Sequence, residues 1–414
     1  MNLSVNQDRL MAELEQLAGF SDVPAPAVTR VVFSPVDLQA RAYFKQLCSN
    51  AGFHIREDAV GNTFARWAGA DPSLPVVGTG SHIDAIPHSG RYDGTVGVLG
   101  GLEAMRALRE SGYRPLRSIE LLLFTSEEPT RFGIGCLGSR LLAGSLDASA
   151  GEKLKDRDGL TLNEVRANAG FTGPLENVRL AAGYYHAFAE LHIEQGPLLE
   201  RRQIPLGLVT AIAAPASLRV IIEGEGGHAG AVLMPDRRDA FSGAAEIALA
   251  LESAARSTGS NDTVATVGVC DVFPGAVNSI PSKVTLGADI RDIDLARRDA
   301  VLQSLAKVCE RVARDRQLKI QTEIVNADAP ALCASSVIDA LAESCKDWKL
   351  PFDRMVSRAY HDSLFISRIA PTAMLFIPCR NGVSHRPDEF ASAEDIGRGA
   401  LVLAATLGRL AGAT

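Results

Sequence analysis

The sequence predicts an α/β fold: a mostly parallel-sheet αβα domain interrupted by a smaller α+β domain of ferredoxin-like pattern. Three observations carry this. Apolar strand-like runs alternate with helical periodicity through the first half of the chain. A β-α-β-β-α-β order then fills 214–329, the split-βαβ arrangement. Helix and strand signals of the first kind resume at 330. The division is therefore 1–213 with 330–414 for the larger domain, and 214–329 for the insertion. At about 150 residues per domain, 414 residues suit two to three domains.

The elements follow in order. MNLSVNQDRLMAELEQLAGF reads as a polar cap and an amphipathic helix, without the basic and apolar regions of a signal peptide. Pro75–Gly80 is a short apolar run. Val96, Leu99, Leu102 and Met105 recur at helical spacing up to Gly112. Ile119–Thr125 has the composition of a buried strand, and Phe188–Ile193 repeats the arrangement. These runs lead into polar clusters: SHIDAIPHSGRYDG, SEEPTR and HIEQG. In such sheets chemistry collects beyond the carboxyl ends of the strands, where these clusters fall. The inserted domain carries strand 217–224, helix 236–256, strands 263–272 and 282–291, a basic helix 294–316 and strand 318–325. Strand Ala373–Ile377 and a helix from 393 close the chain.

Composition narrows the function. Hydrophobic residues at 46% and charged residues at 22% describe an ordinary globular protein, which at this length needs no covalent staples. A net charge of −7 without a basic run predicts no nucleic-acid partner, since phosphate binding needs clustered cations. No stretch approaches 18 uninterrupted apolar residues, so no membrane span is expected. The seven cysteines are scattered without a CxxC and read as reduced thiols of a cytoplasmic protein.

The chemistry-bearing residues are His82, Asp84, His88, Asp93, Glu127, Glu128, His192, Glu194 and His385. Imidazoles mixed with carboxylates suit Zn, Mn, Co or Ni as divalent ions. They outnumber the needs of one cation. That favours two ions about 3.5–4 Å apart sharing a carboxylate, an arrangement used for hydrolysis. In the HxD pair, Asp84 would fix the far side of the His82 ring. His54, His88 and His186, taken singly, read as solvated loop residues. Gly133–Gly138 matches GxGxxG, but the charged SEEPTR loop separates it from its strand, so nucleotide binding is not expected. Its glycines read instead as close packing beside the metal loop.

GSHIDAIPHSGRYDGTVGVLGGLEAM, FTSEEPTRFGIGCLGSR, ELHIEQGP, GGHAGAVLMPDRRDA, PGAVNSIPSKV, ADIRDID and GVSHRPDEF together resemble the signatures of the hydantoinase/carbamoylase amidases of the M20 metallopeptidase superfamily. The resemblance runs from about residue 30 to the end. It implies a metal-dependent catalytic domain, with the insertion acting as lid and dimerisation domain of a homodimer. It implies that His82 and His192 each ligate one ion, that Asp93 bridges both, and that Glu128 and His385 hold the second. Glu127 becomes the general base, and Asp84 orients His82. Asn278 and Arg291 would hold a substrate carboxylate, as a planar guanidinium does. His228, reaching a partner subunit, would polarise the scissile carbonyl. Gln195 would contact the ureido group.

The implied reaction is hydrolysis of the linear C–N amide bond of a small ureido acid. Metal-bound hydroxide is the nucleophile and ammonia is released. An aminopeptidase or dipeptidase of the superfamily is the alternative, and a metal-dead binding protein a remote one. One segment departs from the family. Many members carry SGAGHDA where this chain has Ser357–Ser363, SRAYHDS. Tyr360 there would shorten the pocket and add a hydroxyl, with His361 beside it as a further substrate contact. SRAYHDSLF looks more like the ureidoglycolate amidohydrolase branch than like enzymes of N-carbamoyl-L-amino acids.

Overall fold

The computed structural model describes residues 3–414. Two compact units are formed. One comprises the chain through Thr210, Cys333–Ser357 and His361–Thr414; the other comprises Ala211–Leu332 and Arg358–Tyr360.

The first unit is built on a nine-stranded sheet. Val76–His82, Ile119–Phe124 and Thr372–Ile377 are buried at every position, as strands covered on both faces must be. Side chains alternate between the faces. Leu121 and Leu123 enter one apolar cluster with Leu99, Leu191 and Leu403, whereas Leu122 and Phe124 enter the other with Phe64, Phe188 and Leu141. Val76–His82 runs parallel to Ile119–Phe124 and to Tyr185–Ile193, which in turn runs parallel to Thr372–Ile377. The carboxyl ends of these four strands therefore share one edge of the sheet.

The sheet is mixed, not mostly parallel. Leu206–Ile212 is antiparallel to Thr372–Ile377, Thr63–Trp67 to Ile119–Phe124, and His54–Glu57 to Thr63–Trp67. The last pair is a hairpin closed by Asp58, whose carboxylate accepts the N–H groups of Val60 and Asn62. A turn that short permits only antiparallel pairing. His54–Glu57 is also too polar to announce itself as a strand.

In the second unit, Ala214–Glu223, Val264–Phe273, Lys283–Asp292 and Lys319–Ala327 form a four-stranded sheet. The spatial order is 264–273, 283–292, 214–223, 319–327, antiparallel at each join. Lys283–Asp292 alternates buried with part-buried positions. Its buried side chains join a core with helices Ala240–Ser257 and Leu295–Arg316, including Val220, Ile247, Ile290 and Leu305. The three residues Arg358–Tyr360 group here because Arg358 pairs with Asp262 and the Tyr360 hydroxyl donates to Asp328. Among the described residues no helix is long and apolar enough to cross a membrane.

Candidate metal centre

The shared strand edge delivers the site. His82 ends Val76–His82, and His192 is the penultimate residue of Tyr185–Ile193. Glu127 and Glu128 follow Ile119–Phe124 through a turn in which Ser126 is left-handed (φ 58°). His385 lies in the loop after Thr372–Ile377, and Asp93 just precedes helix Thr95–Glu110. Asp93 is the hub. Its Oδ1 lies 3.5 Å from His82 Nε2 and 3.3 Å from His192 Nε2; its Oδ2 lies 3.4 Å from His385 Nε2. His385 Nε2 is also 3.2 Å from Glu128 Oε1. Beside Glu190–His192–His361, a further group that could hold a cation, two such groups share Asp93: His82–Asp93–His192 and Asp93–Glu128–His385. Glu127 stands apart from both, with its Oε2 3.7 Å from His82 Nε2.

Fixed tautomers fit these groups to metal. His82 Nδ1–H donates to the Asp84 carbonyl (3.0 Å) and His192 Nδ1–H to the Ile193 carbonyl (2.9 Å), which leaves Nε2 of each ring, turned toward Asp93, as the atom that could ligate. The Asp84 carboxylate does something else. It lies 3.7 Å from His82 Nδ1 and accepts the backbone N–H groups of Glu127 (3.2 Å) and Glu128 (3.0 Å). Asp84 thus positions the paired glutamates as well as the imidazole. Gly94 (φ 68°) presses against the His82 ring, where a Cβ would fall 2.4 Å from its Nε2.

The electrostatics agree with this donor set. Burial opposes charge on His82, yet Glu127, Asp93 and Asp84 raise its pKa well above the usual histidine value. At His192 burial is likewise outweighed, by its hydrogen bond to Asp93. His385 is raised to about 9, chiefly by its hydrogen bond to Glu128. Asp93 is buried too, but His192 and His82 hold it well below the carboxylate range. Burial, reinforced by Glu128, keeps Glu127 well above its usual value. Protons on the imidazoles balance the acids, and a dication would take over that role as those protons leave.

Four further residues escaped sequence reasoning. Glu389 Oε1 accepts the N–H groups of Tyr92 (2.7 Å) and Asp93 (3.1 Å). Ser384 Oγ lies 2.5 Å from Asp93 Oδ2 and 2.9 Å from Glu389 Oε2. Burial, with Asp93 nearby, pushes Glu389 to about 7. Glu190 takes hydrogen bonds from Ser81 (2.7 Å) and Ser363 (2.6 Å). Asp362 accepts from Ser139 (2.5 Å) through Oδ1, while its buried Oδ2 has no partner. Burial and the charge of Glu190 raise Asp362 to about 8. A signal for Glu190 existed: it stands two residues before His192 on one strand and so shares its face.

Two expected substrate contacts lie at the centre. Gln195 Nε2 donates to Asp93 Oδ2 (2.6 Å), and the His361 ring packs edge-on against His192, with centroids 4.6 Å apart. His88 is exposed, and Glu194 caps Leu198 N and Leu199 N (2.8 Å each) instead of joining a ligand group. Of the GxGxxG glycines, Gly138 is tightly packed, since a Cβ would lie 2.1 Å from Asn62 Oδ1. Gly133 faces open space, which corrects the close-packing expectation there. The remaining expected residues belong to the second unit. His228 pairs with Ser279 in a two-residue ladder and Asn278 just precedes it, Ala229 N donating to Asn278 O (2.9 Å). Arg291 Nε donates to Asp289 (2.7 Å) and its Nη1 to the Arg358 carbonyl (3.3 Å).

Comparison with known proteins places this geometry. Residues 78–409 match the model of peptidase family M20/M25/M40. The chain is 52% identical to ureidoglycolate hydrolase of Arabidopsis thaliana, over 99% of this chain and 87% of that protein. The crystal structure of AtUAH in complex with glyoxylate superposes with a TM-score of 0.91 at 51% identity, covering 99% of this chain and 98% of that one. An amidase of the hydantoinase/carbamoylase family from Burkholderia multivorans superposes with a TM-score of 0.89 at 33% identity, over the whole of both chains.

Proposed function

The chain belongs to peptidase family M20/M25/M40, among its hydantoinase/carbamoylase amidases, and we propose that it is a dinuclear-metal amidohydrolase of ureido acids, with ureidoglycolate as the foremost substrate. It is a hydrolase acting on amides. The observation that carries the finer reading is Asp93, with one carboxylate oxygen in each of two ligand groups and Glu127 beside them in neither.

His82, Asp93 and His192 would hold one divalent ion (Zn, Mn, Co or Ni), and Asp93, Glu128 and His385 the other. When bound, the pair would lower the pKa of a water and polarise the scissile carbonyl. The protein's own groups do the rest. Glu127, kept basic by burial and off both ligand groups, takes the proton of the attacking water and passes it to the leaving nitrogen, which departs as ammonia. Asp84 holds Glu127 and Glu128 by their backbones. Arg291, steadied by Asp289, and Asn278 would take a substrate carboxylate, Gln195 and His361 would contact the ureido group, and Tyr360 would shorten the pocket and add a hydroxyl. The inserted ferredoxin-like unit would serve as lid and dimerisation domain of a cytoplasmic homodimer, a second copy supplying His228 to the carbonyl.

The test is ammonia release from ureidoglycolate, N-carbamoyl-L-amino acids, N-carbamoyl-β-alanine and allantoate after loading with each metal. Turnover of ureidoglycolate well above the others is expected. Glu127→Gln should abolish turnover while retaining both ions. Near-normal activity in that variant would remove Glu127 as the base, and turnover of dipeptides alone would replace the amidase reading.

A further inference from the structure

The segment Gly133–Gly138 has no part in the ligand groups, yet it is stitched to the turn that carries Glu127. Cys136 N donates to the Glu127 carbonyl (2.8 Å), Leu137 N to Ser126 O (2.9 Å) and Gly138 N to Thr125 O (2.8 Å). The side chain of Cys136 extends this ladder. Its Sγ lies 3.5 Å from Glu127 Oε1, within range of an S–H hydrogen bond, and the residue is fully buried. The opposite oxygen, Oε2, faces His82 Nε2 at 3.7 Å. The carboxylate is thus held between a thiol on one side and an imidazole on the other.

The backbone adds an independent observation. Cys136 is left-handed (φ 56°, ψ 35°), a conformation that disfavours any residue with a Cβ. Glycine would be the unstrained choice, and this short stretch has glycine at 133, 135 and 138. A strained residue whose side chain reaches the reacting group is the pattern expected when the side chain is retained for function.

We infer that Cys136 is a positioning residue for the reaction, its thiol holding the Glu127 carboxylate in the orientation that receives the proton. The inference rests on Glu127 acting as the base. A thiol suits the task because it is a weak donor. It sets a direction without the strong stabilisation of the anion that an arginine or a cluster of N–H groups would bring. Cys136 itself transfers nothing; its high pKa, from burial and from Glu127 nearby, keeps it a neutral S–H.

Three variants at this position and one at Glu127 separate the possibilities, with kcat and KM read on the metal-loaded protein using the best of the four ureides. Cys136→Ala keeps the backbone strain and loses the donor, and Cys136→Gly relieves the strain and loses the donor. Both are expected to lower kcat about tenfold with KM within about twofold, as misorientation of a reacting group does. Cys136→Ser restores a donor and should recover most of kcat. A merely structural cysteine would instead separate the Gly and Ala variants by stability and leave kcat near wild type. Wild-type kcat in either donor-less variant, or a Ser variant as impaired as Ala, overturns the inference while leaving Glu127 as the base if Glu127→Gln is inactive. An active Glu127→Gln overturns the base and the inference together. A second readout needs no turnover: the infrared S–H stretch of metal-loaded protein, isolated in the wild-type minus Cys136→Ala difference spectrum. It should move when Glu127→Gln replaces the carboxyl oxygen that accepts from the thiol, and an unmoved band counts against the contact.

Discussion

Replacing Gly94 by alanine tests whether the geometry around His82 governs metal binding. The new Cβ would lie 2.4 Å from both Cδ2 and Nε2 of the imidazole, against an ordinary contact of 3.4 Å or more. The ring, tethered through Nδ1–H to the Asp84 carbonyl, would have to retreat by about 1 Å, several times the tolerance of about 0.2 Å on a metal–ligand distance. Gly94 also has φ 68°, so alanine adds about 1–2 kcal/mol of left-handed backbone cost. Gly112→Ala separates the two effects. Gly112 has φ 80° and nothing within 4 Å of its would-be Cβ, so it carries the backbone cost alone. Gly112→Ala should lose about 1–2 kcal/mol of stability in denaturant titrations, and Gly94→Ala more, because the clash with His82 adds to the backbone cost. Only Gly94→Ala should bind metal about 10–100-fold more weakly in chelator competition. Wild-type metal affinity in Gly94→Ala, with the expected stability loss in Gly112→Ala, would refute the placement of His82 as a ligand pressed against this glycine.

Other perturbations follow from the same contacts. Asp84→Ala strands the N–H groups of Glu127 and Glu128, and at about 1–3 kcal/mol for each buried orphan it should destabilise the protein by about 2–6 kcal/mol and abolish turnover; circular-dichroism melts and an ammonia assay check both. Arg291→Lys loses the planar fork and should raise KM about tenfold or more with little change in the melting temperature. Metal uptake at pH 7 should release protons, because His385 titrates near 9 and must be neutral to ligate. Calorimetry in buffers of different ionisation enthalpy would detect this, and affinity should rise with pH up to about 9. The metal-free protein should show the opposite trend. His385, Asp362 (about 8) and Glu389 (about 7) all bind protons more tightly folded than unfolded, so stability falls as pH rises from about 6 to 9. Equal melting temperatures of metal-free protein at pH 6 and pH 9 would contradict these shifts.

The sequence made the apolar parallel strands and the long helices legible, because both carry strong periodic signals. Val76–His82, Ile119–Phe124 and Thr372–Ile377 are buried on both faces, and each contains a short apolar run, Val76–Val77, Leu121–Phe124 and Ala373–Ile377. His54–Glu57 is short and polar, and Thr63–Trp67, though mostly apolar, is only five residues long, so neither carries a strong strand signal. These two strands and Leu206–Ile212 supply the antiparallel pairings that make the sheet mixed. In the site, residue types indicated which side chains could ligate but not which acids would. Asp84, Glu194 and Glu389 have the same chemistry as Glu128, and only the fold shows that their oxygens are taken by backbone N–H groups.

Those three acids share one device. Asp84 accepts the N–H groups of Glu127 and Glu128, Glu389 those of Tyr92 and Asp93, and Glu194 those of Leu198 and Leu199. Each carboxylate thus locks two consecutive peptide units. In the first two cases the locked units carry Glu127, Glu128 and the hub Asp93. If cations organised these loops, such clamps would be redundant. Their presence means that the loops are fixed by the protein itself, and that the proposed ligands are preorganised. Burial nevertheless leaves Asp84 near 6 and Glu389 near 7, above ordinary carboxyl values, so charging either clamp costs native-state stability. Acids that both cost stability and hold the ligand loops are the compromise expected where function, not folding, selects the residue. Metal removal should then leave the secondary structure intact. It should lower the melting temperature only by the binding linkage, unlike a zinc-dependent fold, which unfolds without its ion.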